Sequence, residues 1–208
     1  MTSVVALVGL PGGGKSTVGR QLSKRLGARF VDSDVVLEER LGMPIRAYFD
    51  QFGEAAFRDH EEAVIDELSA HQGDLIILAT GGGAVLRPAN RQHLKDRTTV
   101  VYLRSTPDEL FRRLRHDTQR PLLQVADPLA KLRELHQQRH PLYEETAHYS
   151  VDTGRPSVGT LVNMILNARD AKASRVTVRT APAVLTPERA EELQATPGPC
   201  VRIDVADD

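Results

Sequence analysis

Apolar positions fall into two patterns along the chain. Short continuous runs occupy residues 4–8 (VVALV), 28–31, 75–79, 98–103 and the start of YSVDTGRP at 149. Such runs, rich in β-branched residues, suit strands buried on both faces of a parallel sheet. Between them apolar residues recur at helical spacing: Val18, Leu22 and Leu26, stopped by Gly27; then Phe57, Val64, Ile65 and Leu68. The same spacing returns at Leu110, Phe111 and Leu114; at Leu129, Leu132 and Leu135 within 128–139; and at Val158, Leu161, Val162 and Ile165. Each set draws one apolar stripe on a helix. Strands alternating with helices predict an α/β domain around a five-stranded parallel sheet.

The first strand runs into GLPGGGKST, residues 9–17. Glycines forgo packing and cost backbone entropy, so three together need a reason. The order strand, Gly-x-x-x-x-Gly-Lys-Ser, helix supplies one. Gly12, Gly13, Gly14 and the residues up to Thr17 can turn backbone N–H groups toward an anion at the positive end of a helix. Lys15, expected on the loop surface, would reach β- and γ-phosphates, and the Ser16 hydroxyl can ligate Mg²⁺. The motif predicts a nucleoside triphosphate and leaves the acceptor open.

Acceptor chemistry is sought at the carboxyl ends of the other strands, where open α/β sheets place ligands. Asp32 and Asp34 follow the second strand. One could hold Mg²⁺ through water and the other a substrate hydroxyl, or one could cap the acidic helix that follows. Arg58 and Glu61, three apart on a helix, would meet. A glutamate-held guanidinium makes a fork for a carboxylate, although spacing alone favours a solvated surface pair. Thr80-Gly81-Gly82-Gly83 ends the third strand, and suits either close approach to a ligand or a tight turn. Arg112, Arg113, Arg115 and Arg120 crowd a polar segment that could be a basic lid or a solvated charge run. His136 and His140 lack a third ligand and are expected to be exposed helix residues.

Composition narrows the field. Twenty-seven Lys and Arg against 28 Asp and Glu leave a net charge of −1, which does not indicate a general nucleic-acid surface. Cys200 is the single cysteine, so no disulfide frame exists within the chain, and a reducing compartment is expected. No signal-peptide pattern and no apolar run near the ~20 residues of a membrane span is present. A cytoplasmic protein is the expectation.

The motifs DSD, FRDHE, TGGG, RPLL and RHPLY, in this order behind the phosphate loop, make residues 3–168 resemble shikimate kinase, of the nucleoside monophosphate kinase superfamily. The resemblance implies a three-layer α/β/α fold with a five-stranded parallel sheet, a substrate-binding helical segment at about 33–61 and a mobile lid at about 112–124. It implies ATP and Mg²⁺, the latter on Ser16 and Asp32, and phosphorylation of the 3-hydroxyl of shikimate to give shikimate 3-phosphate and ADP, a step toward chorismate and the aromatic amino acids. Asp34 would hold shikimate hydroxyls and serve with Lys15 and Arg120 as catalytic residues. Arg58 and Arg139 would clamp the carboxylate, with Glu61 orienting Arg58. Phe49 and Phe57 would pack on the ring, beside the backbone of Gly81, Gly82 and Gly83. Arg120 would be the lid arginine, and Arg113 and Arg155 would flank adenine, with Arg112 and Arg115 as neighbouring candidates for the Arg113 role. A monomer acting on a small molecule, without nucleic acid or membrane, is implied.

The kinase-like domain is expected over 1–170, and 171–208 is an extension of unknown role. Within it ARDAKAS suggests a linker, and RVTV and VRIDV suggest short strands around a Pro-started helix at 188–194. Two other readings share the phosphate loop. One is gluconate kinase, which has no reason to carry an Arg58–Arg139 clamp beside TGGG. The other is a nucleotide-binding regulatory module without catalysis, against which Lys15, Asp34 and Arg120 together speak.

Overall fold

A computed structural model describes residues 2–114, 125–154, 156–178 and 201–203, with the backbone alone from residue 169 onward. The first strand, β1 (Val4–Val8), leads into α1 (Lys15–Leu26), followed by β2 (Arg29–Asp32), α2 (Ser33–Leu41), α3 (Ile45–Ser69) and β3 (Ile76–Ala79). A 3₁₀ turn (Ala84–Leu86), α4 (Pro88–Arg97), β4 (Thr99–Arg104) and α5 (Pro107–Leu114) come next. After α6 (Pro128–Thr146) come β5 (Tyr149–Asp152), α7 (Val158–Val178) and β6 (Val201–Ile203). The sheet is parallel, in the order β2-β3-β1-β4-β5-β6.

Strand β1 is central because it is apolar on both sides. Val4, Ala6 and Val8 face a core shared with Ile65, Leu94, Leu110, Leu132 and Tyr143. Val5 and Leu7 face the opposite layer with Val18, Leu22, Leu161, Val162 and Ile165. Two side-chain directions per strand thus build two cores, and helices cover both faces. Each fully buried Val or Leu contributes about 1.5–3 kcal/mol relative to exposure. A smaller cluster of Leu37, Phe57 and Val64 joins α2 to α3. Gly53, at φ 81° and ψ 170°, breaks α3 into two helical pieces. Among the described residues, no helix is long and apolar enough to cross a membrane.

The five expected strands are present within one residue of their predicted bounds, and β6 adds a sixth. It pairs Val201 with Tyr149 and Ile203 with Val151, inside the VRIDV run. The linker expected at ARDAKAS and the strand expected at RVTV are both helical instead, because α7 continues to Val178. Ala, Arg and Lys favour helix, and four residues of β-branched alternation cannot override a helix already under way. Helix α4 had no apolar stripe to announce it; only Leu94 and Asn90 are buried there. The helix expected at 188–194 and lid residues 115–124 lie outside the described residues.

Candidate active site

The loop after β1 places its glycines where backbone must turn. Gly12 and Gly14 have φ of 80° and 88°, a region that L side chains rarely adopt, and Gly14 is the N-cap of α1. Lys15 opens that helix but is not on the surface as expected: it is 9% exposed, and its Nζ donates to the carbonyls of Gly9 at 2.8 Å and Leu10 at 3.0 Å. The lysine arches back over its own loop. Ser16 Oγ donates to Asp32 Oδ2 at 2.8 Å. Asp32 Oδ1 accepts the Asp34 N–H at 3.1 Å, so the carboxylate both caps α2 and meets the serine. The two alternatives for Asp32 are therefore compatible, one on each oxygen.

The acceptor side is built around Gly81, Gly82 and Gly83 at the carboxyl end of β3. A Cβ on Gly81 would meet Asp34 Oδ1 at 2.6 Å and Glu61 Oε1 at 3.1 Å. One on Gly82 would strike Pro11 Cδ at 2.6 Å, and one on Gly83 would fall onto the guanidinium of Arg58. Glycine is required here by close approach rather than by a turn. Buried Ser33, whose role sequence reasoning passed over, accepts the Gly81 N–H on its Oγ at 3.0 Å.

Arg58 and Glu61 are no surface pair. Glu61 is 1% exposed and accepts from Arg58 at 2.6 Å, while Glu54 holds the other edge of the guanidinium at 2.8 Å. Burial pushes the Glu61 carboxyl up even with Arg58 and Arg139 beside it. Phe49 and Phe57 lie 4.5 Å apart by ring centroids, and the Arg58 guanidinium lies within 6 Å of both. Burial also lifts the Asp34 carboxyl to about 6, helped by Asp32, Glu61 and Glu38 and opposed by Lys15. Such a group is ionised at neutral pH yet basic enough to take a proton. Arg139, on α6, has a buried Nε that finds no hydrogen-bond partner among the described residues. A buried guanidinium donor left open in this way suits an anionic ligand.

The fold thus gathers Lys15, Ser16, Asp32, Asp34, Arg58 and Gly81–Gly83 at the carboxyl ends of β1, β2 and β3. Arg113 stands on the β4–β5 side of the phosphate loop, donating to Thr153 Oγ1 at 3.3 Å and to the Thr153 carbonyl after β5; Thr153 in turn bonds to Ser105, which lies against Gly13. Arg115, Arg120 and Arg155 lie outside the described residues. His136 and His140 are half-buried rather than exposed, with stacked rings 4.8 Å apart.

Known proteins match this chain in sequence and in fold. The shikimate kinase family model matches residues 11–169. The chain is 56% identical over 162 residues to a shikimate kinase of Paracidovorax citrulli (strain AAC00-1), covering 77% of this chain and 88% of the relative. It is 52% identical over 164 residues to that of Ralstonia nicotianae (strain ATCC BAA-1114 / GMI1000), covering 79% and 85%. Among solved structures, a shikimate kinase from Acinetobacter baumannii in complex with shikimate aligns with TM-score 0.76 at 41% identity, covering 81% of this chain and 93% of that one. With a phosphate loop, a braced arginine and a matching family model over most of its length, this chain belongs to the shikimate kinase family.

Proposed function

We propose that the chain transfers the γ-phosphoryl group of ATP to the 3-hydroxyl of shikimate, giving shikimate 3-phosphate and ADP. The observation that carries this reading is the Arg58 fork, held by Glu54 and buried Glu61 against Gly83 and facing the same strand ends as the phosphate loop. Gluconate would also offer a carboxylate, but the rigid walls of Phe49, Phe57 and the glycine backbone suit a ring.

In this reading the backbone of Gly12, Gly13 and Gly14, with Ser16 and Thr17, cradles the phosphates, and Lys15 leaves its carbonyls to meet them. Ser16 Oγ and the Asp32 carboxylate, hard oxygens 2.8 Å apart, fit Mg²⁺. When bound, that ion neutralises charge on the β- and γ-phosphate oxygens. Arg58 and Arg139 hold the shikimate carboxylate, Asp34 accepts a hydrogen bond from its 3-hydroxyl, and the glycine backbone lies against the ring. The hydroxyl oxygen attacks the γ-phosphorus, the bond to the β-phosphate oxygen breaks, and the hydroxyl proton passes to Asp34. Arg120 of the 112–124 lid steadies the transferring group, and Arg113 and Arg155 flank adenine. Residues 1–170 form the kinase domain, with 33–61 as its substrate segment and 171–208 as an appendage to it. In this reading the enzyme acts as a monomer in the cytoplasm.

ATP turnover measured with shikimate, gluconate and other hydroxy acids tests the reading. Turnover with shikimate well above the rest is expected. Equal turnover without any acceptor, or preference for gluconate, overturns it.

A further inference from the structure

Tyr143 sits one helical turn beyond Arg139 on α6 and is fully buried. Its Oη donates to the carbonyl of Gly82 at 2.6 Å, and the positive charge of Arg139 acts on the same phenol, opposing the effect of its burial. The ring stacks on Tyr102 with centroids 5.0 Å apart and 29° between planes, and the Tyr102 hydroxyl bonds to His140 Nδ1 at 3.0 Å. Burial raises the Tyr143 pKa, so the phenol keeps its proton and can donate in one direction while accepting from another. The carbonyl it holds is the middle one of the three glycines, and the neighbouring glycines press on Asp34 and Arg58. Because the peptide unit is planar, fixing the Gly82 carbonyl also fixes the N–H of Gly83.

We infer that Tyr143 is a positioning residue for the acceptor: its hydroxyl anchors the Gly81–Gly83 backbone to the helix turn that carries Arg139, so that Arg139 and Arg58 converge on one carboxylate. This rests on shikimate being the acceptor.

Tyr143→Phe keeps the ring, the stack and the bulk. The shikimate KM should rise about tenfold, with the ATP KM within about twofold and kcat within about threefold of the parent. Tyr102→Phe removes a neighbouring hydroxyl that bonds to His140 instead, and should leave both KM values within about twofold. A folded Tyr143→Phe enzyme with unchanged shikimate KM overturns the inference. So does an equal rise in both KM values, which a merely structural role would give. Failure of the parent enzyme to use shikimate would instead sink the proposed function, so the two failures are distinct. Should Tyr143→Phe not fold, a fluorinated tyrosine at 143 replaces it. Its more acidic phenol should lose the Gly82 bond at alkaline pH and raise the shikimate KM there, unlike the parent; a KM profile identical to the parent's overturns the inference.

Discussion

The two halves of the site are held in opposite ways. On the side assigned to the acceptor in the proposed function, Arg58 is locked between Glu54 and Glu61 and backed by Gly83, while Arg139 keeps a buried donor open among the described residues. Its internal bonds brace the groups without using up their ability to bind. On the nucleotide side, Lys15 is engaged with two loop carbonyls, Ser16 with Asp32, and Arg113 with Thr153. There the internal bonds occupy groups that the proposed function assigns to the phosphates, the Mg²⁺ ion and the adenine. Under the proposed function the acceptor half would be a preformed receptor, whereas the nucleotide half would exchange protein bonds for phosphate bonds, an exchange subtracted from its affinity.

The sharpest way to break the contrast is Lys15→Ala. Turnover should fall on the order of 10³-fold or more, since a charge aimed at the transferring group is lost. The protein should still fold, but at a cost of about 1–3 kcal/mol, because the Gly9 carbonyl loses the Lys15 donor while that of Leu10 keeps only the Gly13 N–H. Steady-state kinetics and denaturant melts check both parts. Near-normal turnover would remove the nucleotide half of the picture.

Next comes Arg58→Lys, which keeps charge but loses the planar fork. Shikimate affinity measured by calorimetry should drop by ~1.5–3 kcal/mol, and ATP affinity should hold. An equal loss for both ligands would mean that the two halves are not separately built.

Asp34→Asn tests how the acceptor half is charged. The folded-state pKa of about 6 lies above the ordinary 3.8, so Asp34 is least costly to the fold below pH 4. Stability is lost as pH rises from there through 6, by on the order of 2–3 kcal/mol at pH 7.5. Removing the charge should make the folded protein more stable at pH 7.5 by that order and leave it unchanged at pH 3.5, while turnover falls. Equal melts at pH 7.5 would show that Asp34 is not strained by its burial.

The smallest effect is expected far from both halves. A chain ending at Val178 lacks β6 but keeps every assigned residue. Its turnover should stay within about twofold, with a midpoint lowered by about 2–4 °C from the uncovered β5 edge. A soluble, folded truncation without activity would make the tail part of the site.

Much of this was written locally. The phosphate loop follows from fixed spacing, and the strands follow from unbroken apolar runs, because both depend on neighbours along the chain. The burial of Glu61 does not: i,i+3 spacing is the same for a solvated pair, and only the approach of Gly81 from β3 closes it off. Lys15 was misplaced for the same reason, since the carbonyls it bonds curve back over it only once the loop is folded. Tyr143 stands in the RHPLY motif beside a recognised arginine, but its partner Gly82 is 61 residues away. Contacts of that kind leave no periodicity to read.

The strand order has a consequence for how the chain is made. Strand β1 emerges first, yet its sheet neighbours begin at Ile76 and Thr99. At about 5–20 residues per second, the ribosome leaves VVALV unpaired for several seconds or longer. During that interval a strand that is fully buried in the finished enzyme is an exposed adhesive segment, and a nascent-chain chaperone that favours short apolar stretches should find its binding site there. Slowing translation before codon 76 would lengthen that exposure and lower the soluble yield without altering a single contact in the folded protein.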